Sequence, residues 1–324
     1  MNPNSLQTTG NLRQLTADTI KAGSSRLGDS VDGTMDWNPV AAGLSGCVDG
    51  GAVDPAATAA DRIIAGRYRL STLLGTGGMG AVWLAEDALL QRAVALKKLT
   101  DRDGEDRPSA LQEARAAARI THPGVVRVYD VVREDDEDWI VMEALSGEPL
   151  SAILRERGRL PLDEVTQIAV QLLSGLQAIH DADLVHRDIK PSNVQVCRDG
   201  RVVITDFGLS SPRGAWGGLH AGAVAGSLSY MAPETLIDGV FGPASDLYAL
   251  GVTLYMAVEG RPPFDPRGPL ALLDSVLSAQ PEPAWHAGSL DEVLVGLLDK
   301  DPDRRMDAAH ARTCLRATGL VTTT

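Results

Sequence analysis

Two segments constrain this chain more than any other feature: His186-Arg187-Asp188-Ile189-Lys190-Pro191-Ser192-Asn193, and the Asp206-Phe207-Gly208 that follows a short hairpin's length later. Between them they supply a carboxylate base, an amide oxygen and a second carboxylate. Taken singly, an Asp, a Lys and an Asn in a loop are turn chemistry. In this order and spacing they suit the movement of a phosphoryl group. That reaction asks a protein mainly for positioning and charge neutralisation: a base beside the acceptor hydroxyl and oxygen ligands holding Mg²⁺ between phosphates.

The first segment resembles the catalytic loop of the protein kinases. Its H-R-D-x-K-P-x-N form, with Lys190 two residues after Asp188, is similar to the serine/threonine branch in its bacterial, eukaryotic-like (Hanks-type) version. The resemblance implies an α+β fold of two lobes within residues 62–318: a small β-rich N-lobe at about 62–143 and a larger helical C-lobe at about 146–318. It implies ATP as phosphoryl donor and Mg²⁺, with Mn²⁺ as an alternative. Asp188 would orient the substrate hydroxyl and accept its proton, Lys190 would neutralise the moving group, and Asn193 and Asp206 would ligate metal.

Upstream, short alternating runs flank a glycine cluster, Tyr68-Arg69-Leu70 and Leu73-Leu74 before it and Val82-Trp83-Leu84-Ala85-Glu86 after it. Period two on both sides of a Gly-rich turn predicts a β-hairpin. Gly75-Thr76-Gly77-Gly78-Met79-Gly80 reads G-x-G-x-x-G, a weak signal shared with dinucleotide-binding folds. Such a fold continues as a helix, whereas here alternation resumes in Ala93-Val94-Ala95-Leu96-Lys97. Against the kinase pattern this is a V-A-L-K form, so Lys97 would contact the α/β phosphates and Gly75, Gly77 and Gly80 would cover them. A strand-end lysine is otherwise a solvated surface residue.

Residues 109–120 are strong helix formers ending before His122-Pro123-Gly124, and Glu113 stands where the family's partner of the catalytic lysine belongs. Val125 to Val132 and Trp139 to Glu143 predict two strands joined by the acidic run Glu134-Asp135-Asp136-Glu137-Asp138, a hairpin turn kept in solvent. Met142-Glu143-Ala144-Leu145 resembles the hinge between kinase lobes. There Met142 would be the gatekeeper and Glu143 and Leu145 would offer backbone groups to adenine, under an apolar roof of Leu74, Val82 and Ala95. Gln195 departs from the family by placing a polar residue where an apolar floor under adenine is usual, an expected weakening or redirection of nucleotide binding.

Val165, Ile168, Ala169, Leu172, Leu176 and Ile179 give a clear helical stripe leading to His180 and the catalytic loop. Beyond Asp206, the run to Ala232-Pro233-Glu234 resembles the kinase activation segment. Its middle, residues 212–225, holds no Ser, Thr or Tyr, so activity is expected to depend less on phosphorylation there than is usual in the family, with Ser210, Ser211, Ser227 and Ser229 as the remaining sites. Asp246 matches the aspartate that anchors the catalytic-loop backbone, and Arg305 the arginine that pairs with Glu234.

Composition bounds the partners. A net charge of -13 with no dense Lys/Arg cluster argues against nucleic acid and anionic membranes. Cys47, Cys197 and Cys314 are far apart and odd in number, which favours a reducing, cytoplasmic setting over a disulfide framework or zinc site. No secretory signal is predicted, and the apolar run Tyr248 to Val258 is too short to span a bilayer and reads as a core helix. Residues 1–61 have no sustained period and predict a mostly disordered extension, and 319–324 a short tail. Thr8, Thr9, Thr16 and Thr19 would be phosphorylation sites for a phosphothreonine-binding partner, or merely solvated linker residues. Three functions fit: a Ser/Thr protein kinase acting on proteins, itself included; a pseudokinase scaffold, disfavoured because Lys97, Glu113, Asp188, Asn193 and Asp206 are all present; and a small-molecule kinase, disfavoured by the A-P-E segment and Lys190. Oligomeric state is open.

Overall fold

The alternating runs fold as antiparallel strands. The computed structural model describes residues 62–77, 80–99, 112, 114–206, 228–266 and 268–319. Its first element set is a six-stranded sheet of β1 (Ile63–Ile64), β2 (Tyr68–Gly77), β3 (Gly80–Asp87), β4 (Arg92–Lys98), β5 (Val128–Glu134) and β6 (Glu137–Glu143), in the order β1-β2-β3-β4-β6-β5. Gly80, paired with Gly77 at the end of the glycine hairpin, has φ 117°, a backbone conformation that only glycine adopts without strain.

Period two sorts the central strands between two cores. Val94 and Leu96 of β4, with Trp139 and Val141 of β6, join Ile64, Tyr68, Leu70, Trp83 and Ala85 in a cluster confined to the sheet lobe. Ala95, Ile140 and Met142 face the other way and belong to the main core, which continues through the helical lobe. Lys97 pairs with Ile140 and shares the face of Ala95, so alternation alone turns it inward. It is 3% exposed, which excludes the reading as a solvated strand-end lysine.

The acidic run needs correction. β5 and β6 extend to Glu134 and Glu137, which pair, and only Asp135 and Asp136 form the turn, with φ of 48° and 63°. Positive φ at both central residues is the twist-matched hairpin turn that Asp tolerates better than most side chains. Glu137 instead accepts from Arg62 at 3.2 Å and pairs with Lys98, and Asp138 is buried 3.2 Å from Arg133 Nε. Asp135 also lies 3.1 Å from Arg62 Nη2, so three of the five acids of the run are held by cations.

One buried charge has no local sequence signal. Asp87 accepts from Arg67 Nε at 2.8 Å and Nη2 at 2.7 Å, and from the Leu89 and Leu90 amides at 3.2 Å each. The Arg67 hydrogen bonds hold its carboxyl down, from the ordinary 3.8 to about 2. Because the folded value lies below the unfolded one, the stabilisation is intact above pH ~4 and is lost as pH falls toward ~2. Thermal melts of Asp87→Asn are expected to depend less on pH across that window than those of wild type; parallel pH profiles would refute the assignment.

The helical lobe follows from the stripes. After β7 (Gly147–Pro149) come α1 (Leu150–Arg157) and α2 (Leu162–His180), whose predicted face is buried. The catalytic loop leads through a 3₁₀ turn (Pro191–Asn193) to β8 (Val194–Cys197) and β9 (Val202–Ile204), which form a second sheet in the order β7-β8-β9. A Cβ at Gly147 would lie 2.1 Å from the Val196 carbonyl, so only glycine permits this approach of hinge and β8. α3 (Pro233–Asp238), α4 (Pro243–Glu259), α5 (Pro269–Ser278), α6 (Asp291–Leu297) and α7 (Ala308–Ala317) complete the lobe. α4 carries the Tyr248 to Val258 run and is buried nearly all round, as expected of a core helix. No helix among the described residues is long and apolar enough to cross a membrane. The fold is the two-lobed α+β arrangement that the resemblance implied.

Candidate active site

The loop after α2 is held from beneath. Asp246, buried in the first turn of α4, accepts from the His186 amide (2.8 Å) and the Arg187 amide (2.8 Å) and contacts His180 Nε2 at 2.9 Å. One carboxylate thus ties the end of α2 to the loop, and lets Arg187 keep a φ of 69°. The His186 ring, also buried, bridges onward: Nε2 donates to the Thr205 carbonyl (2.9 Å), while Nδ1 accepts from the Asp188 amide (3.3 Å). Those partners require the neutral ring with its proton on Nε2. Burial pushes its pKa down, in agreement.

The loop's own polar groups are joined to one another. Asp188 Oδ2 receives Lys190 Nζ at 2.8 Å and Asn193 Nδ2 at 2.8 Å, and the same amide also donates to the Asp188 carbonyl. Among the described residues no hydrogen bond reaches Asp188 Oδ1, so an acceptor oxygen remains for an incoming hydroxyl. Asp206 has φ 55° and lies 2.6 Å from Lys97 Nζ, while the Asn193 carbonyl takes the Thr205 amide at 2.9 Å. Asn193 Nδ2 is committed to Asp188, while its Oδ1 accepts only a 3.3 Å hydrogen bond from Ser192 Oγ and keeps a lone pair for a metal. With the Asp206 carboxylate it forms the hard oxygen donor set that suits Mg²⁺. Among the described residues no cluster of three His, Cys, Asp or Glu forms, so a cation here would draw its other ligands from water and phosphate, as Mg²⁺ commonly does.

Of the expected nucleotide residues, Val82, Ala95, Met142 and Leu145 belong to the main core or pack against it. Ala95 and Met142 are register partners, and Val82 and Leu145 pack against their cluster. Leu74, 54% exposed, precedes Gly75, where a Cβ would project into open space; protein packing therefore does not require that glycine. Gln195 is half-buried on β8 between Pro149 and Val203. The Glu143 side chain accepts from Arg201 Nη2 at 2.9 Å, tying the hinge to the β8–β9 turn, a contact no local pattern announces across 58 residues. Glu113 lies outside the described residues, as do Phe207, Gly208, residues 209–227 with Ser227, the N-terminal threonines and Cys47. The Lys97 partner that is described is Asp206.

The last implied pairing is present. Arg305, its side chain wholly buried, donates to Glu234 Oε1 at 2.6 Å and Oε2 at 2.9 Å and also to the Ala244 and Asp299 carbonyls.

The family model described as "Protein kinase domain" matches residues 68–314. The chain is 40% identical over 229 residues to serine/threonine-protein kinase PknA of Mycobacterium tuberculosis (strain ATCC 25618 / H37Rv), covering 68% of this chain and 53% of that protein. It is 35% identical over 255 residues to serine/threonine-protein kinase PrkC of Bacillus subtilis (strain 168), covering 76% of this chain and 39% of the relative. Serine/threonine-protein kinase PksC of Streptomyces coelicolor is 36% identical over 272 residues, 78% of this chain and 49% of its own length. This chain therefore spans about half the length, or less, of these curated relatives. With the matched region covering both lobes and every motif described above, the chain belongs to the protein kinase domain family, and its likeness is to the bacterial serine/threonine members.

Proposed function

We propose that this chain is a protein kinase that transfers the γ-phosphoryl group of ATP to serine and threonine hydroxyls of proteins, its own among them, with a catalytic domain at residues 62–318. The observation that carries the reading is Asp188, one oxygen engaged by Lys190 and Asn193 and the other without a hydrogen bond among the described residues, in a chain that also buries Lys97 against Asp206. In this reading Asp188 orients the acceptor hydroxyl and takes its proton, and Lys190 balances charge on the moving group. Leu74, Val82, Ala95, Met142, Gln195 and the backbone of Glu143 and Leu145 enclose adenine, and Gly75, Gly77 and Gly80 let the backbone approach the phosphates. Asn193 and Asp206 hold Mg²⁺ or Mn²⁺, which neutralises phosphate charge when bound.

The contact between Lys97 and Asp206 fits the same reading. A buried ammonium needs an anion and a carboxylate beside it needs a cation. Bound phosphate and metal supply one of each, and Glu113 is proposed as the further partner of Lys97.

Incubation with labelled ATP and Mg²⁺ or Mn²⁺ and a generic protein acceptor is expected to yield phosphoserine and phosphothreonine, and chelation with EDTA to abolish it. Mass-spectrometric mapping should find sites on the chain itself, with Thr8, Thr9, Thr16 and Thr19 as first candidates. Nucleotide binding without any transfer by the wild type would overturn the reading in favour of a scaffold.

A further inference from the structure

Trp285 is left unexplained by the fold and by phosphoryl transfer. The other described tryptophans, Trp83 and Trp139, are buried, whereas Trp285 is 78% exposed. Its loop is nevertheless firmly held. Tyr255 Oη donates to the Glu282 carbonyl at 2.9 Å, Arg261 donates to Glu282 Oε2 at 2.9 Å and to the Pro283 carbonyl at 3.2 Å, and the His286 amide donates to the Glu259 carboxylate at 2.5 Å. Anchors on both sides hold the indole outward.

Trp285 lines a surface-open cavity of about 480 Å³ together with Tyr255, Pro283, Asp291, Val295 and Leu298. That volume lies within the range of ligand-binding pockets. Val295, at 61% exposure, continues the apolar rim. Of the two carboxylates lining the cavity, Glu282 is engaged by Arg261, but Asp291 has no ion pair among the described residues. Asp291 opens α6, where a carboxylate complements the helix dipole. That explains an acid at this position, yet it leaves the outward charge uncompensated and gives no reason for an exposed indole beside it.

A cation satisfies both groups. An indole face attracts guanidinium or ammonium more strongly than other aromatic rings do, and the carboxylate pairs with the same charge. The net charge of -13 favours encounter with a basic partner. We propose that this groove docks a basic-aliphatic segment of a partner protein, with an Arg or Lys between Trp285 and Asp291 and a neighbouring aliphatic side chain on Val295 and Leu298. The site is separate from the catalytic cleft, and its occupancy requires no nucleotide.

The test is fluorescence anisotropy with fluorescein-labelled Leu-Arg-Leu-Arg-Leu, and with its citrulline counterpart, which keeps the shape and removes the charge. Without ATP, the wild type is expected to bind the arginine peptide saturably. Trp285→Ala should bind about 3- to 30-fold more weakly, and Asp291→Asn about 2- to 5-fold more weakly. Both variants should melt and autophosphorylate like wild type, which separates a docking defect from misfolding. Equal binding of the citrulline peptide, equal binding by Trp285→Ala, or no saturable binding by wild type would overturn the proposal. Trp285-dependent self-association without peptide binding would also overturn it, by making a second copy the occupant.

Discussion

Asp188→Asn is expected to slow phosphoryl transfer about 10²- to 10⁴-fold, the usual contribution of a positioned general base, while nucleotide binding stays near the wild-type level. The geometry makes the contrast sharp. Lys190 and Asn193 both donate to Asp188 Oδ2, and an amide oxygen in that position would still accept from both. The amide nitrogen then falls where Oδ1 now stands, placing a donor where the acceptor hydroxyl needs an acceptor. Because the supporting contacts survive, melting should move by no more than about 2 °C. The check is parallel measurement of transfer to a protein substrate, ATP affinity by calorimetry, and melting temperature. A variant that keeps a tenth of wild-type transfer would remove Asp188 from the role of base; one that loses transfer only by unfolding would leave a structural role.

Glu234→Ala should be among the most destabilising single changes in the helical lobe. It strands the Arg305 guanidinium, which has no solvent-exposed side-chain surface and gives two of its hydrogen bonds to that carboxylate. Removing one partner of a buried pair costs about 3–5 kcal/mol, which at roughly 2–4 °C per kcal/mol lowers the melting temperature by about 6–20 °C. The loss should persist in high salt, since a buried pair is little screened. Arg305→Ala also gives up donation to the Ala244 and Asp299 carbonyls, so the double variant should be much less destabilised than the sum of the singles. Additive losses in that cycle would show that the two side chains do not act as a pair.

Most of the fold was legible because its signals are short-range. Alternation around Gly75 to Gly80 announced the hairpin, the Val165 to Ile179 stripe announced α2, and the Tyr248 to Val258 run announced a buried helix. The acidic run is the expected hairpin turn, but charge alone does not show which of its acids face solvent. Strand register instead placed Glu137 beside Lys98 and Arg62, and Asp138 beside Arg133. Trp285 carried no sequence signal: only the loop's anchors show that the indole is held outward.

The site divides the same way. Which chemical groups are present, and in what order along the chain, is a property of sequence: Lys97 ending a strand, Asp188, Lys190 and Asn193 in one loop, Asp206 beyond a hairpin. Reaction class and fold family follow from that order. Only the tertiary structure decided that Lys97 is buried against Asp206, that Lys190 and Asn193 share one oxygen of Asp188 and leave the other open, and that Asp246 joins His180 to the loop it supports. Lys97 and Asp206 meet across 109 residues, and Asp246 reaches the loop from about 60 residues away. Contacts of that span depend on how the sheet lobe and the helices pack together, and no local pattern of residues encodes them.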